Sequence, residues 1–265
     1  MQLDRNDKVS ILSTAFEMAD AGRPIALNYF RNNNQIVENK LANGFDPVTV
    51  ADKEIELIFR KILSERRPQD GILGEEFPDV IGVSGLTWVL DPIDGTRGFI
   101  SGTPTWGMLI GVNDGTQPVF GIIDQPFTAE RFIGGFGQSV LQHNGHEQAL
   151  KVRSCTSLQN AVLFSTMPEV GTEAETKLFN SVSQKCKLTR YGMDCYAYAL
   201  LAAGQIDLVI EAQLNPYDIQ GPLAVVQAAG GIVTNWQGGA ADQGGQVIAA
   251  GDPTIHAAAM KILNM

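Results

Sequence analysis

Apolar residues return every three or four positions between Asp7 and Arg31, at Val9, Leu12, Phe16 and Ala19, which predicts a helix with one buried face. Pro24 falls inside that stretch, so the helix either kinks there or ends earlier. A second helical pattern runs from Asp52 to Arg66, with Ile55, Ile58, Phe59 and Ile62 on one side and Asp52 placed to cap the first turn. Then the period shortens. Residues 71–74 and 87–90 read as short buried strands, 108–112 and 119–123 flank an Asn113-Asp114-Gly115 turn as a hairpin would, and 131–133 adds another strand.

Strands and helices alternate in the second half. Strands are expected at 161–164, 206–211 and 247–250. Helices are expected at 173–183, 194–203, 218–229 (stopped by Gly230-Gly231) and 253–263. Helices and strands in both halves imply an α/β layered sandwich, with a boundary near residue 150 dividing 1–150 from 151–265.

Length and charge narrow the function. The chain has 265 residues, 44% of them hydrophobic, which is enough to bury a large core. Lys+Arg 19 against Asp+Glu 29 gives a net charge of −10, with no basic cluster to neutralise phosphates, so neither nucleic acid nor an anionic membrane is an expected partner. Charges at Asp4, Arg5, Asp7 and Lys8 stand where a signal peptide needs an apolar stretch, so the expected location is the cytoplasm. Three cysteines without CxxC spacing indicate neither a disulfide framework nor a zinc site.

Carboxylates collect where strands end. Gly74-Glu75-Glu76 follows the first strand of the middle region, Asp91-Pro92-Ile93-Asp94-Gly95-Thr96 follows the next, and Asp218 opens a helix after Pro216-Tyr217. Pro92 keeps Asp91 out of helical geometry and Gly95 permits a positive φ, so the peptide turns sharply with both acids on it. Two carboxylates at this spacing, with the Ile93 carbonyl between them, suit a hard cation such as Mg²⁺. In isolation D-x-x-D-G reads first as a turn stabilised by its own side chains.

The longer strings resemble the inositol monophosphatase family. Asp46-Pro47-Val48-Thr49-Val50-Ala51-Asp52 is similar to its D-x-V-T-x-x-D segment, Gly74-Glu75-Glu76 to its G-E-E, and Trp88 through Thr96 to its W-x-x-D-P-I-D-G-T, with Asp218 at the late W-D position. The resemblance implies a layered α/β homodimer and a lithium-sensitive, Mg²⁺-dependent phosphomonoesterase with two or three ions per site. It implies metal ligation by Glu75, Asp91, the Ile93 carbonyl, Asp94 and Asp218, and activation of the attacking water by Asp52 and Thr96. Lys40 would lie near an outer metal or phosphate, and the Gly95 and Thr96 N–H groups would hold phosphate oxygens if they open a helix. Asp52 also reads as a helix cap, and Thr96 as a turn hydroxyl. Tyr217 in place of Trp, Gln220-Gly221-Pro222 in place of a small-residue run, and Ala228 in place of Glu depart from the family without removing a ligand.

The substrate half points to a small-molecule phosphate ester with a cationic alcohol. Asp194 adds a carboxylate where inositol-specific members carry a small residue, and Glu211 stands at a position that binds ring hydroxyls in them. Two carboxylates facing the leaving group favour an ammonium or imidazolium, and histidinol phosphate supplies both. Arg67 through Phe77, Gly95 through Phe99 with Arg97, and Tyr191 through Tyr198 are similar to the histidinol-phosphate phosphatase branch. Asp194 is alternatively a helix N-cap and Glu211 a strand-end charge. Inositol-1-phosphate or a broader range of sugar phosphates is the alternative substrate. A non-catalytic metal- or phosphate-binding regulator would lack a ligand or base, and none is missing. His143 and His146 flank Asn144-Gly145, which reads as a turn rather than a metal site.

Overall fold

The computed structural model describes residues 3–32, 37–39 and 47–265; Lys40 and Asp46, both drawn on above, lie outside them. The first half runs α1 (Arg5–Tyr29), β1 (Val37–Asn39), β2 (Pro47–Thr49), α2 (Val50–Arg66), β3 (Gly71–Gly74), β4 (Thr87–Asp94), α3 (Thr96–Ser101), β5 (Gly107–Asn113), β6 (Pro118–Gln125), β7 (Glu130–Gly135), β8 (Gln138–His143) and β9 (His146–Ala149). The second runs β10 (Val162–Phe164), α4 (Glu173–Ser183), β11 (Leu188–Arg190), α5 (Tyr196–Ala202), β12 (Leu208–Leu214), α6 (Pro216–Ala228), β13 (Ile232–Asn235), β14 (Gly245–Ala250) and α7 (Pro253–Leu263). Strands β3 to β9 form one sheet in sequence order, a second is ordered β11-β10-β12-β14-β13, and β1 pairs antiparallel with β2.

Strand alternation sorts these elements into five layers. On β5 to β7, Met108, Ile110, Ile122 and Ile133 pack against Ile11, Met18, Ile55 and Phe59 of α1 and α2. Their neighbours Leu109, Ile123 and Phe132 point the other way, into a core shared with α5, α6 and Val209 and Ala249 of the second sheet. Leu208, Ile210 and Ile248 face outward again, onto Phe179 of α4 and Ile255 and Ala259 of α7. Helix α6 is thus apolar on both flanks and buried from Ile219 to Val226, so the two halves of the chain share their middle layer. Gly121 of β6 permits its close approach, since a Cβ there would sit 2.2 Å from the Gly221 carbonyl oxygen, and a Cβ at Gly221 would in turn crowd the Ile110 carbonyl oxygen at 3.2 Å. Gln220 is buried but satisfied: it accepts from Asn113 Nδ2 at 2.9 Å and donates to the Asp242 carbonyl at 3.0 Å. The departures at Gln220 and Gly221 therefore fit the packing.

Several boundaries differ from the sequence pattern. Helix α1 starts at Arg5, capped by Asp4, and runs through Pro24 to Tyr29. Helix α2 starts at Val50, because Thr49 is its N-cap and Asp52 its third residue. Strand β4 continues to Asp94, so Asp91 and Asp94 lie in the strand rather than after it. Helix α5 starts at Tyr196, since Asp194 has φ of 48° and cannot join a right-handed helix. The hydrophobic pattern does not mark strands β1, β2, β8, β9, β11 and β13 or the short helix α3. His143 and His146 are cross-strand partners in a hairpin that turns on Asn144 and Gly145, both at positive φ. No helix among the described residues is long and apolar enough to cross a membrane.

Candidate active site

The parallel strands β3 and β4 end side by side and deliver Glu75 and the Asp91–Thr96 segment to one cleft of about 300 Å³. In a regular strand residues three apart face opposite ways. Between Asp91 and Asp94 the register slips: Asp91 pairs with Leu109 and Asp94 with Gly107, so three steps on β4 match two on β5. That bulge at Pro92-Ile93 turns both acids to the same side. Helix α6 brings Asp218 from below. One carboxylate oxygen each from Asp91, Asp94 and Asp218 lie within 4.8 Å of one another.

Each acid is held through one oxygen. Asp91 Oδ1 accepts from the Ile93 N–H at 3.0 Å, Asp94 Oδ2 from the Cys195 N–H at 2.6 Å, and Asp218 Oδ2 from the Asn215 N–H at 2.6 Å. Asp52 repeats the Asp218 arrangement, since its Oδ2 accepts from the Thr49 N–H at 2.9 Å and from the Thr49 hydroxyl. Both acids are the third residue of their helix, closing a capping box with the N-cap. Capping and chemistry are therefore not alternatives for Asp52: one oxygen caps, and Oδ1 is buried without a hydrogen-bond partner among the described residues.

Crowding raises the acids together. Burial, then repulsion from Glu75, Asp94 and Asp218, pushes Asp91 well above the carboxylate range. Burial, then Asp194 and Asp218, does the same to Asp94. Burial lifts Asp218 to about 7 and Asp52 to about 6, against the hydrogen bonds that hold them.

Gly95, Thr96, Arg97, Asp194 and Glu211 line the same cleft. Gly95, at φ of 83°, caps α3, and the Thr96 hydroxyl donates to the Ile93 carbonyl at 3.0 Å. Asp194 lies under this turn, with Oδ2 accepting from the Thr105 hydroxyl at 3.0 Å. Its carboxyl carbon would be 2.7 Å from a Cβ on Gly95. Gly95→Ala is therefore expected to destabilise the protein by about 1–3 kcal/mol through strain and to lower kcat. Calorimetry and phosphate release would read this, and an unchanged melting temperature would contradict the clash. Asp194 does not cap α5. Glu211 is a buried group at a β12 irregularity, accepting from the Thr166 N–H at 2.8 Å and from the Thr166 and Ser165 hydroxyls. Burial raises it to about 8.

A sequence profile of the inositol monophosphatase family matches residues 7–264. The chain belongs to this family. Bifunctional phosphatase IMPL2, chloroplastic, of Arabidopsis thaliana is 39% identical over 257 residues, or 93% of this chain and 72% of its own. A histidinol-phosphatase of Mycobacterium tuberculosis is 32% identical over 206 residues, 77% of this chain and 79% of its own. The structure of an inositol monophosphatase from Zymomonas mobilis superposes with a TM-score of 0.84 at 36% identity, covering 99% of this chain and 100% of that one.

The protein is thus a phosphatase of a metal-dependent family. Its acidic cluster fits a cation on its own terms. The donors are all hard oxygens, their charges repel without a counter-ion, and each of the three aspartates engages a backbone N–H through one oxygen. Membership of the inositol monophosphatase family does not by itself reveal the groups that hold the acids. The holders of these carboxylates are Thr49, Thr105, Ser165, Thr166, Asn215 and the Cys195 N–H. Thr49 three residues before Asp52 and Asn215 three before Asp218 do carry a capping-box spacing. Thr105 is invisible from Asp194 in the sequence, because the two meet only in the fold.

Proposed function

We propose that this phosphatase hydrolyses L-histidinol phosphate to L-histidinol and phosphate, with two or three Mg²⁺ ions in the acidic cluster. The observation that carries the substrate is the pair Asp194 and Glu211, a half-buried and a buried carboxylate in the cleft outside the group of three. A cationic alcohol would neutralise them, and charge-assisted bonds of this kind contribute about 1.5–3 kcal/mol each. The Mycobacterium tuberculosis relative bears the name of this activity.

Water is the nucleophile. Its oxygen bonds to phosphorus as the bond from phosphorus to the alcohol oxygen breaks; one water proton passes to Asp52 Oδ1, and the departing alcohol oxygen takes up a proton from solvent. Burial places Asp52 at about 6, where it is ionised at neutral pH yet basic enough to take a proton. The Thr96 hydroxyl orients that water, and the Gly95 and Thr96 N–H groups face the phosphoryl oxygens. Arg97, at the cleft wall, offsets the charge of the ester. A bound divalent cation supplies acidity to the water and charge stabilisation to the leaving oxygen.

A second reading rests on Glu211. At about 8 it holds its proton at neutral pH and can donate to a ring hydroxyl, which favours a polyol phosphate such as inositol-1-phosphate. Phosphate release from the two esters, measured side by side with Mg²⁺ and an EDTA control, separates them. We expect kcat/KM to favour L-histidinol phosphate by about 100-fold, or roughly 2.7 kcal/mol. Asp194→Asn, which keeps the shape and tolerates the left-handed backbone, should erase at least about tenfold of that preference while sparing inositol-1-phosphate. Parity between substrates, or equal losses in the variant, would remove the cation reading and leave the phosphatase chemistry.

A further inference from the structure

We infer that Glu56 and Arg60 are positioning residues, a buried clamp on α2 that sets Glu75 against the acidic cluster and thereby tunes the affinity of the site for its divalent cation. Asp52, Glu56 and Arg60 follow one another at intervals of four, so they line one face of α2. Asp52 opens that ladder, close enough to Glu75 to feel its charge. One turn on, Glu56 is 0% exposed and its Oε2 accepts from the Glu76 N–H at 2.7 Å. Its other oxygen accepts from Arg60 Nε at 2.7 Å. Arg60 then donates to the Phe77 carbonyl at 2.8 Å and the Pro78 carbonyl at 3.0 Å.

The grip falls on the segment that carries Glu75. Strand β3 ends at Gly74, and Glu75 begins an irregular stretch that returns to the sheet only where Val80 pairs with Ile72. Glu76, Phe77 and Pro78 are each tied to α2 by a backbone group. On the other side of Glu75, a Cβ at Gly74 would lie 2.1 Å from Glu56 Oε1, so the pair packs directly on the backbone there. Glu75 is thus bracketed, and its charge is felt by Asp52, Asp91 and Asp218. A buried ion pair adds little stability over an apolar pair of similar volume, so placement rather than stability is the function assigned here.

The inference rests on the acidic cluster being a cation site, and titration of the parent chain tests that premise separately. The full chain would be stripped of metal and titrated with Mn²⁺, following free Mn²⁺ by electron paramagnetic resonance, with melting temperatures recorded in EDTA. Glu56→Met and Arg60→Met should each weaken Mn²⁺ binding by about 10- to 100-fold, the usual effect of losing a group that orients a ligand. Glu56→Gln, which retains an acceptor for the Glu76 N–H, should recover most of that affinity. Arg67→Met, which breaks a partly buried pair with Asp70 at the far end of α2, should lower the melting temperature and leave Mn²⁺ binding unchanged. If Glu56→Met does not fold, Arg60→Met and Arg60→Lys carry the test, since lysine cannot reproduce the three-way grip. Folded variants that bind Mn²⁺ like the parent, or an equal loss in Arg67→Met, would overturn the clamp alone. A parent that binds no Mn²⁺ would overturn the cation site and the clamp with it.

Discussion

Exchanging Asp91 for Asn is expected to lower kcat/KM by about 10³-fold or more, while the metal-free protein melts a few degrees higher. Asn preserves the shape and the acceptor for the Ile93 N–H, so the bulge that aims residues 91 and 94 should survive. What disappears is the negative charge that Asp91 must carry to bind a cation, a charge that burial and the neighbouring Glu75, Asp94 and Asp218 disfavour. A cation then loses a charged ligand, which costs several kcal/mol of transition-state stabilisation where the reaction relies on it. The same loss relieves repulsion when no cation is present. Phosphate release with Mg²⁺ and calorimetry in EDTA measure the two sides. Activity within about tenfold of the parent would refute the assignment of Asp91, since tenfold is only about 1.4 kcal/mol.

The metal-free chain should lose several kcal/mol of stability as pH rises from about 4 to about 8. Asp52, Asp218 and Glu211 sit at about 6, 7 and 8 in the folded protein, against 3.8, 3.8 and 4.5 in the open chain. Between those limits the folded state holds protons that the unfolded state has released. Stability therefore falls with pH across this window and levels off above it. Each unit of upward shift contributes about 1.4 kcal/mol to the loss. Saturating Mg²⁺ should reverse the trend, because the cation binds the ionised carboxylates and displaces their protons. At a thousandfold excess over its dissociation constant it adds about 4 kcal/mol. The gain in melting temperature on adding Mg²⁺ should thus be small near pH 5 and large near pH 8. A melting temperature in EDTA that rises over this window, or an equal gain at both ends, would refute the account.

Much of this site is legible in the sequence because its acids are carried on short strings with strong local constraints. Asp91-Pro92-Ile93-Asp94-Gly95 announces a turn bearing two carboxylates, and Gly74-Glu75-Glu76 directly follows a buried strand. Helices α4 and α7 match the apolar period to the residue, since each has one clean buried face. The bulge is not legible: it is a property of the pairing between β4 and β5, and the spacing of Asp91 and Asp94 taken alone would send them to opposite faces. Strand β9 is exposed at all four positions, so no hydrophobic alternation marks it. Asp194 looks like the start of a helix because the residues after it are helical, and only its left-handed backbone reveals otherwise. Glu56 and Arg60 read as an ordinary helical charge pair, and their grip on residues 76–78 exists only once α2 lies beside β3.

The acids of this cleft do not share one mechanical origin. Asp218 rides on a helix sealed between two sheets, so it can leave its place only when the central layer of the molecule comes apart. Glu75 rides on an irregular segment and answers to two side chains of a neighbouring helix. On warming, the wall that carries Glu75 would loosen first, and the cation would be shed from a molecule whose interior is still intact. Heat inactivation would then begin as a reversible loss of the ion, with collapse of the chain a later and separate event.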